Sequence, residues 1–354
     1  MSMRSKMYGV AIIGYGGMGS QHGRLIQRVD NIELKGIMDI REERQKYATE
    51  LGQHVYPDLQ AVLDDPMVDI VIIATPNHIH ADLAIQALRA GKHVICEKPV
   101  TITSVELQGI MTVAEQCGKQ FVVAQNRRWD EDYLVMKKLF DEKQLGDVFH
   151  IESKVHGSRG IPGDWRAEKE YGGGMLLDWG VHLVDRILLM IPEKVKSVHC
   201  KFTHITNKKV DDGFRLSLEF ESGITALLEV GTSHYIAMPL WYMNGTTGSA
   251  VIEDWSMKGS IVKLEAPGGG GHDATPIVAG AGLTKTMAPR DEYTTVTEPI
   301  PRIPTDILDF YNNVLDAIEG KAAIIVKNHE VLRVMRLLEA AFLSDETNQV
   351  VSFE

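Results

Sequence analysis

The chain has 354 residues, 44% hydrophobic and 24% charged, with a net charge of −11. That length exceeds one typical core and predicts two domains, while the acidic balance argues against nucleic acid or an anionic membrane surface as main partner. Cys96, Cys117 and Cys200 form no C-x-x-C pair and indicate neither a disulfide framework nor a zinc site; they read as reduced thiols of a cytoplasmic protein. No signal-peptide apolar region follows Met7, and every apolar run is strand-length or periodic, so no membrane span is expected.

The first third alternates. An apolar run predicts a strand at 10–13, followed by a helix at 18–28, a strand at 33–38, a charged helix at 41–51 and a short extended piece at 55–56. Residues 69–74 are nearly all β-branched and read as a strand buried on both faces. A helix at 78–90 stopping at Gly91, a strand at 93–96, a helix at 104–117 closed by Gly118 and a strand at 121–124 complete the series. This spacing predicts an α/β, doubly wound parallel sheet.

From 148 onward the period becomes two, at 148–156, 195–204, 214–220, 225–230, 250–253 and 261–264. These runs predict an open, mostly antiparallel sheet. A helix interrupts at 175–190, and two amphipathic helices at 306–318 and 330–343 close the chain. The glycine-rich 266–289 reads as a long loop. The break is expected near Gln125, with a nucleotide-binding domain at 1–125. An α+β domain for substrate and self-association follows at 126–354, its terminal helices able to pack back on the first.

Gly14-Tyr15-Gly16-Gly17-Met18-Gly19 lies between the first strand and helix, and Asp39 follows 20 residues after Gly19. Such a turn brings backbone amides and a helix dipole to a pyrophosphate, and the carboxylate grips ribose hydroxyls. Thr75-Pro76-Asn77-His78-Ile79-His80 follows the buried strand, where ligands lie in open α/β sheets. The plain alternative is a helix N-cap. His78 and His80 would not share a helical face, so they make no metal pair. Cys96-Glu97-Lys98-Pro99 ends the next strand and directs Lys98 to the same crevice, against the alternative of a surface lysine. Gly172-Gly173-Gly174 opens an apolar helix on which Asp178, His182 and Asp185 fall at i, i+4 and i+7, one stripe. The alternative there is a core histidine bonded to Asp178.

In this order and spacing, the four motifs resemble those of the Gfo/Idh/MocA oxidoreductases over essentially the whole chain. The resemblance implies an N-terminal Rossmann domain and a C-terminal α+β domain with an open, mostly antiparallel sheet. It implies that Lys98, Asp178 and His182 line the reaction site. It further implies that Gly14, Gly16, Gly17, Met18, Gly19, Asp39, Ile40, Thr75, Pro76, Asn77, His80, Glu97 and Lys98 approach the dinucleotide, joined by Asn126, Trp165 and Arg166.

The expected activity is hydride transfer between NAD(H) and a secondary hydroxyl of a polyol, sugar or glycoside, without a metal. Asp39 favours NAD by repelling a 2′-phosphate, with Arg41 partly offsetting it and NADP the less favoured cofactor. His182, with a near-neutral pKa, is the expected base, Asp178 its holder or a hydroxyl acceptor, and Lys98 the cation on the reacting oxygen. The substrate is expected to be a neutral polyhydroxylated ring, with His156, Arg159, Asp164 and Tyr235 as contacts on position alone. A homodimer or homotetramer is expected through Leu216, Leu218 and Phe220 on an uncovered sheet face. Two other readings stand beside this one. One is tightly bound, recycled NAD in sugar-to-sugar oxidoreduction or oxidation–elimination of a glycoside. The other is a non-catalytic, NAD- or sugar-sensing regulator, against which the joint presence of Lys98 and His182 speaks.

Overall fold

Ile70–Ile73 carries four β-branched side chains in a row, a segment suited to a strand covered on both faces. In the computed structural model, which describes residues 6–265, 274–290 and 292–354, this strand is the buried centre of a parallel sheet. The first part runs β1 (Tyr8–Ile13), α1 (Gly17–Ile26), β2 (Ile32–Met38), α2 (Glu42–Glu50), α3 (Leu59–Asp64), β3 (Ile70–Ile73), α4 (His80–Arg89), β4 (His93–Cys96), α5 (Ser104–Cys117) and β5 (Phe121–Val123). The order β2-β1-β3-β4-β5, parallel throughout, is the doubly wound arrangement that the alternation predicts. The short α3 escapes a periodicity reading, though Asp58 caps it by accepting from the Ala61 amide.

The second part adds α6 (Glu131–Asp141), β6 (Val148–His156), a π turn at Leu176–Gly180 running into α7 (Val181–Met190), β7 (Val195–Thr203), β8 (Gly213–Phe220) and β9 (Thr225–Gly231). Then come β10 (Trp241–Gly245), β11 (Gly248–Ile252), β12 (Gly259–Leu264), β13 (Ile277–Ala279), β14 (Gly282–Thr284), β15 (Thr295–Pro299), α8 (Leu308–Ile318), α9 (Asn328–Thr347) and β16 (Val351–Ser352). Among the described residues, one open sheet has the order β15-β12-β11-β10-β6-β9-β8-β7-β16, in which β6 and β9 are parallel and the other neighbours antiparallel. Of the expected loop at 266–289, residues 266–273 lie outside the described residues, and the rest includes the β13–β14 hairpin.

Period-two alternation gives the sheet two faces, and α7 and α9 cover one of them. Leu216, Leu218 and Phe220 are at most 2% exposed and belong to the core beneath those helices. This corrects the expectation that they form an uncovered face for self-association. The opposite face carries Ser217, Leu227, Glu152, Tyr242 and Val251 in one row across the strands, a polar and apolar mixture.

The terminal helices also reach the first part, α8 against α1 and α9 against α5 and β5. Polar bonds pin this packing. His22 on α1 bonds the Tyr311 hydroxyl of α8 at 2.7 Å, and Glu339 on α9 accepts from both the amide and the hydroxyl of Ser104. Arg128, just beyond β5 and buried, makes two bonds to Asp185 on α7, at 2.7 and 2.8 Å, and a third to Glu330 on α9 at 2.8 Å. A bidentate pair out of water is costly to break, because the surviving charge is left uncompensated. Arg128→Ala should therefore lower the unfolding free energy in urea by about 3–5 kcal/mol. Lys143→Ala, which removes an exposed i,i+4 bridge to Asp147, should change it little. Equal, small effects of the two would contradict a structural role for the Arg128 cluster.

Candidate active site

At the carboxyl edge of the parallel sheet the chain turns sharply after β1. Gly14 has φ +86°, a Cβ on it would lie 2.6 Å from the Ala74 carbonyl oxygen, and one on Gly19 would lie 1.9 Å from the Gly14 oxygen. Only glycine permits so close a fold-back. Helix α1 then starts behind Gly16, which supplies no side-chain cap, and a Cβ on Gly17 would meet nothing. The first amides of α1, those of Gly17, Met18 and Gly19, have no intrahelical acceptor and stand at the positive end of the helix. Asp39, at the end of β2, accepts from the Tyr15 amide at 2.7 Å and the Arg41 amide at 2.9 Å, with the Arg41 Nε at 3.6 Å and Ile40 exposed beside it.

Behind the ends of β3 and β5, the Thr75 hydroxyl, the Gln125 amide group and Asn126 Oδ1 are buried without a hydrogen-bond partner. Buried polar atoms in that state are open to a ligand or an ordered water. Together with the uncapped helix start and the glycine turn, they fit a dinucleotide. His80 and Glu97, two of the residues expected to touch it, are otherwise engaged. The ring nitrogens of His80 bond the Thr75 and Pro99 carbonyls at 2.8 and 3.1 Å, and its side chain is fully buried. Glu97 is held by His22 at 2.8 Å and by the Lys98 amide at 3.0 Å. With these bonds both side chains brace the loops after β3 and β4. Asn77 bonds the Gly172 carbonyl at 2.8 Å and so ties the turn that ends in Pro76 and His80 to the glycine triplet.

That triplet leads into the helix of the second part. A Cβ on Gly174, at φ +102°, would lie 2.1 Å from Asp211 Oδ1, and Asp211 accepts the Leu176 amide at 2.7 Å. Burial pushes the Asp211 carboxyl up to about 7. The π turn at Leu176–Gly180 carries Asp178, and α7 carries His182 and Asp185; their partners separate the three. Asp185 is drawn to Arg128 in the core. Asp178 meets Lys98, whose Nζ donates to Oδ1 at 3.0 Å and to the backbone oxygen at 2.9 Å, while Arg166 Nε stands 3.4 Å from Oδ2. Burial would raise this carboxyl, but the two cations hold it below the usual carboxylate range.

His182 is 4% exposed, and no hydrogen bond joins it to Asp178; its Nδ1 is buried without a partner. It is therefore not a satisfied core histidine. Burial, reinforced by the charges of Lys98, Arg127 and Arg186, pushes its pKa well below the ordinary histidine value. The near-neutral value expected from sequence is corrected accordingly, and the imidazole is uncharged at ordinary pH.

Beside this cluster lies a cavity of about 440 Å³, bordered among others by Arg127, His156, Met175, Trp179, Thr232 and Trp255. The Trp179 ring stands edge-on to His182 at 5.9 Å, and the Arg127 guanidinium lies 4.3 Å from the Trp179 ring and 5.4 Å from that of Trp255. Of the four residues placed at the substrate by position, only His156 borders this cavity. Arg159 and Tyr235 are exposed and do not border it. Asp164 caps the turn at Trp165–Ala167 and pairs with Arg166 at 2.9 Å, while Trp165 lies under the Arg166 guanidinium. Trp179 lies inside the Asp-x-Gly-x-His motif and was open to recognition; nothing local marks Trp255, in the turn between β11 and β12.

His156 and His234 stack at 4.0 Å and 3°, and the Nε2 atoms lie 3.5 and 3.4 Å from Glu229 Oε1. Three such groups have the composition of a metal site, but not its geometry. Parallel rings keep their lone pairs in separate planes, and one cation cannot lie in both. The Met238 amide also donates to His156 Nδ1, which puts the proton of the neutral ring on Nε2, facing Glu229.

Residues 8–125 match the oxidoreductase family with an NAD-binding Rossmann fold (GFO_IDH_MocA), and residues 133–251 match the GFO/IDH/MocA C-terminal domain. The crystal structure of an NAD-binding protein from Listeria innocua is similar at 49% identity and a TM-score of 0.94, over 98% of this chain and 99% of that one. The scyllo-inositol 2-dehydrogenase (NADP(+)) IolW of Bacillus subtilis is 28% identical over 98% of this chain and 96% of its own. The 2,7-anhydro-N-acetylneuraminate hydratase of Escherichia coli is 29% identical over 72% of this chain and 69% of its own. With both family domains matched in order on a parallel and an open mixed sheet, the chain belongs to the Gfo/Idh/MocA family of NAD(P)-binding oxidoreductases.

Proposed function

We propose that the chain moves a hydride reversibly between a nicotinamide and a secondary hydroxyl of a polyol, sugar or glycoside. The observation that carries this reading is the Lys98–Asp178 pair beside the carboxyl edge of the parallel sheet, with a buried, unpartnered His182 Nδ1 within reach of the Lys98 charge. A bound dinucleotide supplies the hydride acceptor. Gly14, Gly16, Gly17, Met18 and Gly19 would hold its phosphates and Asp39 a ribose, with Ile40 alongside. Thr75, Pro76, Asn77, Asn126, Trp165 and Arg166 would border the rest.

His182, out of water and neutral, takes the hydroxyl proton. Lys98, anchored by Asp178, sets a positive charge against the developing alkoxide. Asp178 keeps its charge and accepts from a neighbouring hydroxyl. A neutral ring suits this site better than a carboxylate, which an arginine fork usually meets. Arg166 is already engaged by Asp164 and Asp178, Arg159 does not border the cavity, and Arg127, which does, is paired with Asp130 at 2.8 Å. The inositol named for the Bacillus subtilis relative agrees with that class. The relative named a hydratase supports a second reading, in which NAD stays bound and is recycled within an oxidation–elimination cycle. Release of NADH at each turnover separates the two.

His182→Ala should lower kcat by roughly 10²–10⁴, with NAD affinity by calorimetry nearly unchanged; near-normal turnover would return the residue to a structural role. The NADP named for the Bacillus subtilis relative makes cofactor choice a separate question. Asp39 should give NAD the higher kcat/KM, because its carboxylate opposes a 2′-phosphate. Asp39→Ser should shift preference toward NADP by releasing Arg41, 3.6 Å away. Equal or better efficiency of the parent enzyme with NADP would contradict this assignment.

A further inference from the structure

Trp255 is 54% exposed at a braced turn, where Asp254 Oδ1 accepts the Ser256 amide at 2.8 Å and the Glu253 amide donates to the Lys258 carbonyl. An exposed aromatic side chain standing alone is ordinary and needs no ligand. Here the ring is not isolated. Its centroid is 6.2 Å from that of Trp179, the Arg127 guanidinium lies over both rings, and all three border the cavity of about 440 Å³ beside His182. Arg127 is fixed in turn by Asp130 at 2.8 Å, so its flat face, rather than a free charge, is what it presents.

The chemistry of that lining is selective. It offers two indole faces, a guanidinium plane, the His156 imidazole, the Met175 thioether and the Thr232 hydroxyl, but no carboxylate among the bordering residues. A cation would find no counter-charge there, whereas a ring with an apolar or π face would stack. The cavity falls within the size range of pockets for drug-sized ligands, more room than one six-membered ring fills. Trp179 is common to the two places, since it stands edge-on to His182 while bordering the cavity.

We propose that Trp255, Trp179 and Arg127 form a distal subsite that holds a second ring, linked to the ring whose hydroxyl meets Lys98 and His182. This inference rests on the hydride-transfer reading for the position of the first ring. The second ring is another sugar or an aryl group, since both present the face that the lining stacks against. Trp255 is then a specificity residue: it selects substrates by the group beyond the reacting ring.

Calorimetry on the full chain with saturating NAD tests this with matched β-glucosides and β-galactosides carrying methyl, a second glucose or para-nitrophenyl. At least one two-ring probe should bind about five- to tenfold tighter than its methyl counterpart, the range expected of one aromatic contact. Trp255→Ala should bring that ratio to about one, and Trp255→Phe should keep most of it. A gain confined to the glucosyl probes identifies a sugar subsite, and one confined to the nitrophenyl probes an aryl subsite. Absence of any two-ring advantage, or an advantage that survives in Trp255→Ala, overturns the inference. NADH formation from one-ring alcohols is followed separately; its absence counts against the hydride-transfer reading and leaves the binding ratios to be judged by themselves.

Discussion

Lys98 projects from the loop after β4, and Asp178 from the helix that leads into α7, so their 3.0 Å contact joins the edge of the parallel sheet to the second part of the chain. The contact fixes a cation beside the place where the glycine turn would seat a nucleotide. It also keeps Asp178 ionised, despite burial, and leaves that carboxylate unavailable to His182. The histidine therefore remains buried with an open nitrogen. The Lys98 charge thus holds the Asp178 carboxyl down, and it adds to burial in opposing protonation of His182.

The rest of the fold holds that meeting point in register. Arg128 crosslinks the segment after β5 to α7 and α9, and His22 links α1 to α8 and to Glu97 beside Lys98. His80 clamps the loops after β3 and β4 by their carbonyls, and Asn77 reaches from the first of these loops to the glycine triplet. These side chains surround the cofactor-binding edge and need no contact with a ligand to matter. Their part is to position groups that would otherwise lie on separately folded elements.

Much of this was legible because it is local. The Gly14–Gly19 turn, the acid Asp39 and the β-branched run at β3 each depend on neighbouring residues, and short-range steric rules are enough to read them. What escaped was set by distant partners or irregular backbone. Asp185 looked like a site residue on a regular helix, but its partner Arg128 is 57 positions away in sequence. A π turn carries Asp178, outside the regular helix α7 that holds His182 and Asp185. His80 and Glu97 lie in the expected motifs, yet tertiary bonds turn them inward. Leu216, Leu218 and Phe220 alternate as a half-buried strand should, but alternation does not say which face the helices take. Trp255 became visible only once the β11–β12 turn was seen against Trp179.

The protonation of His182 is the most direct measure of this account. Histidine ¹⁵N resonances of the full-length protein, assigned with His182→Gln and followed from pH 8 to pH 5, report the state of each imidazole. The account predicts that His182 titrates well below the ordinary histidine value, and that Lys98→Met shifts its titration upward, because burial and the Lys98 charge both oppose its protonation. A His182 ring that titrates at the ordinary histidine value, with or without Lys98, would contradict it.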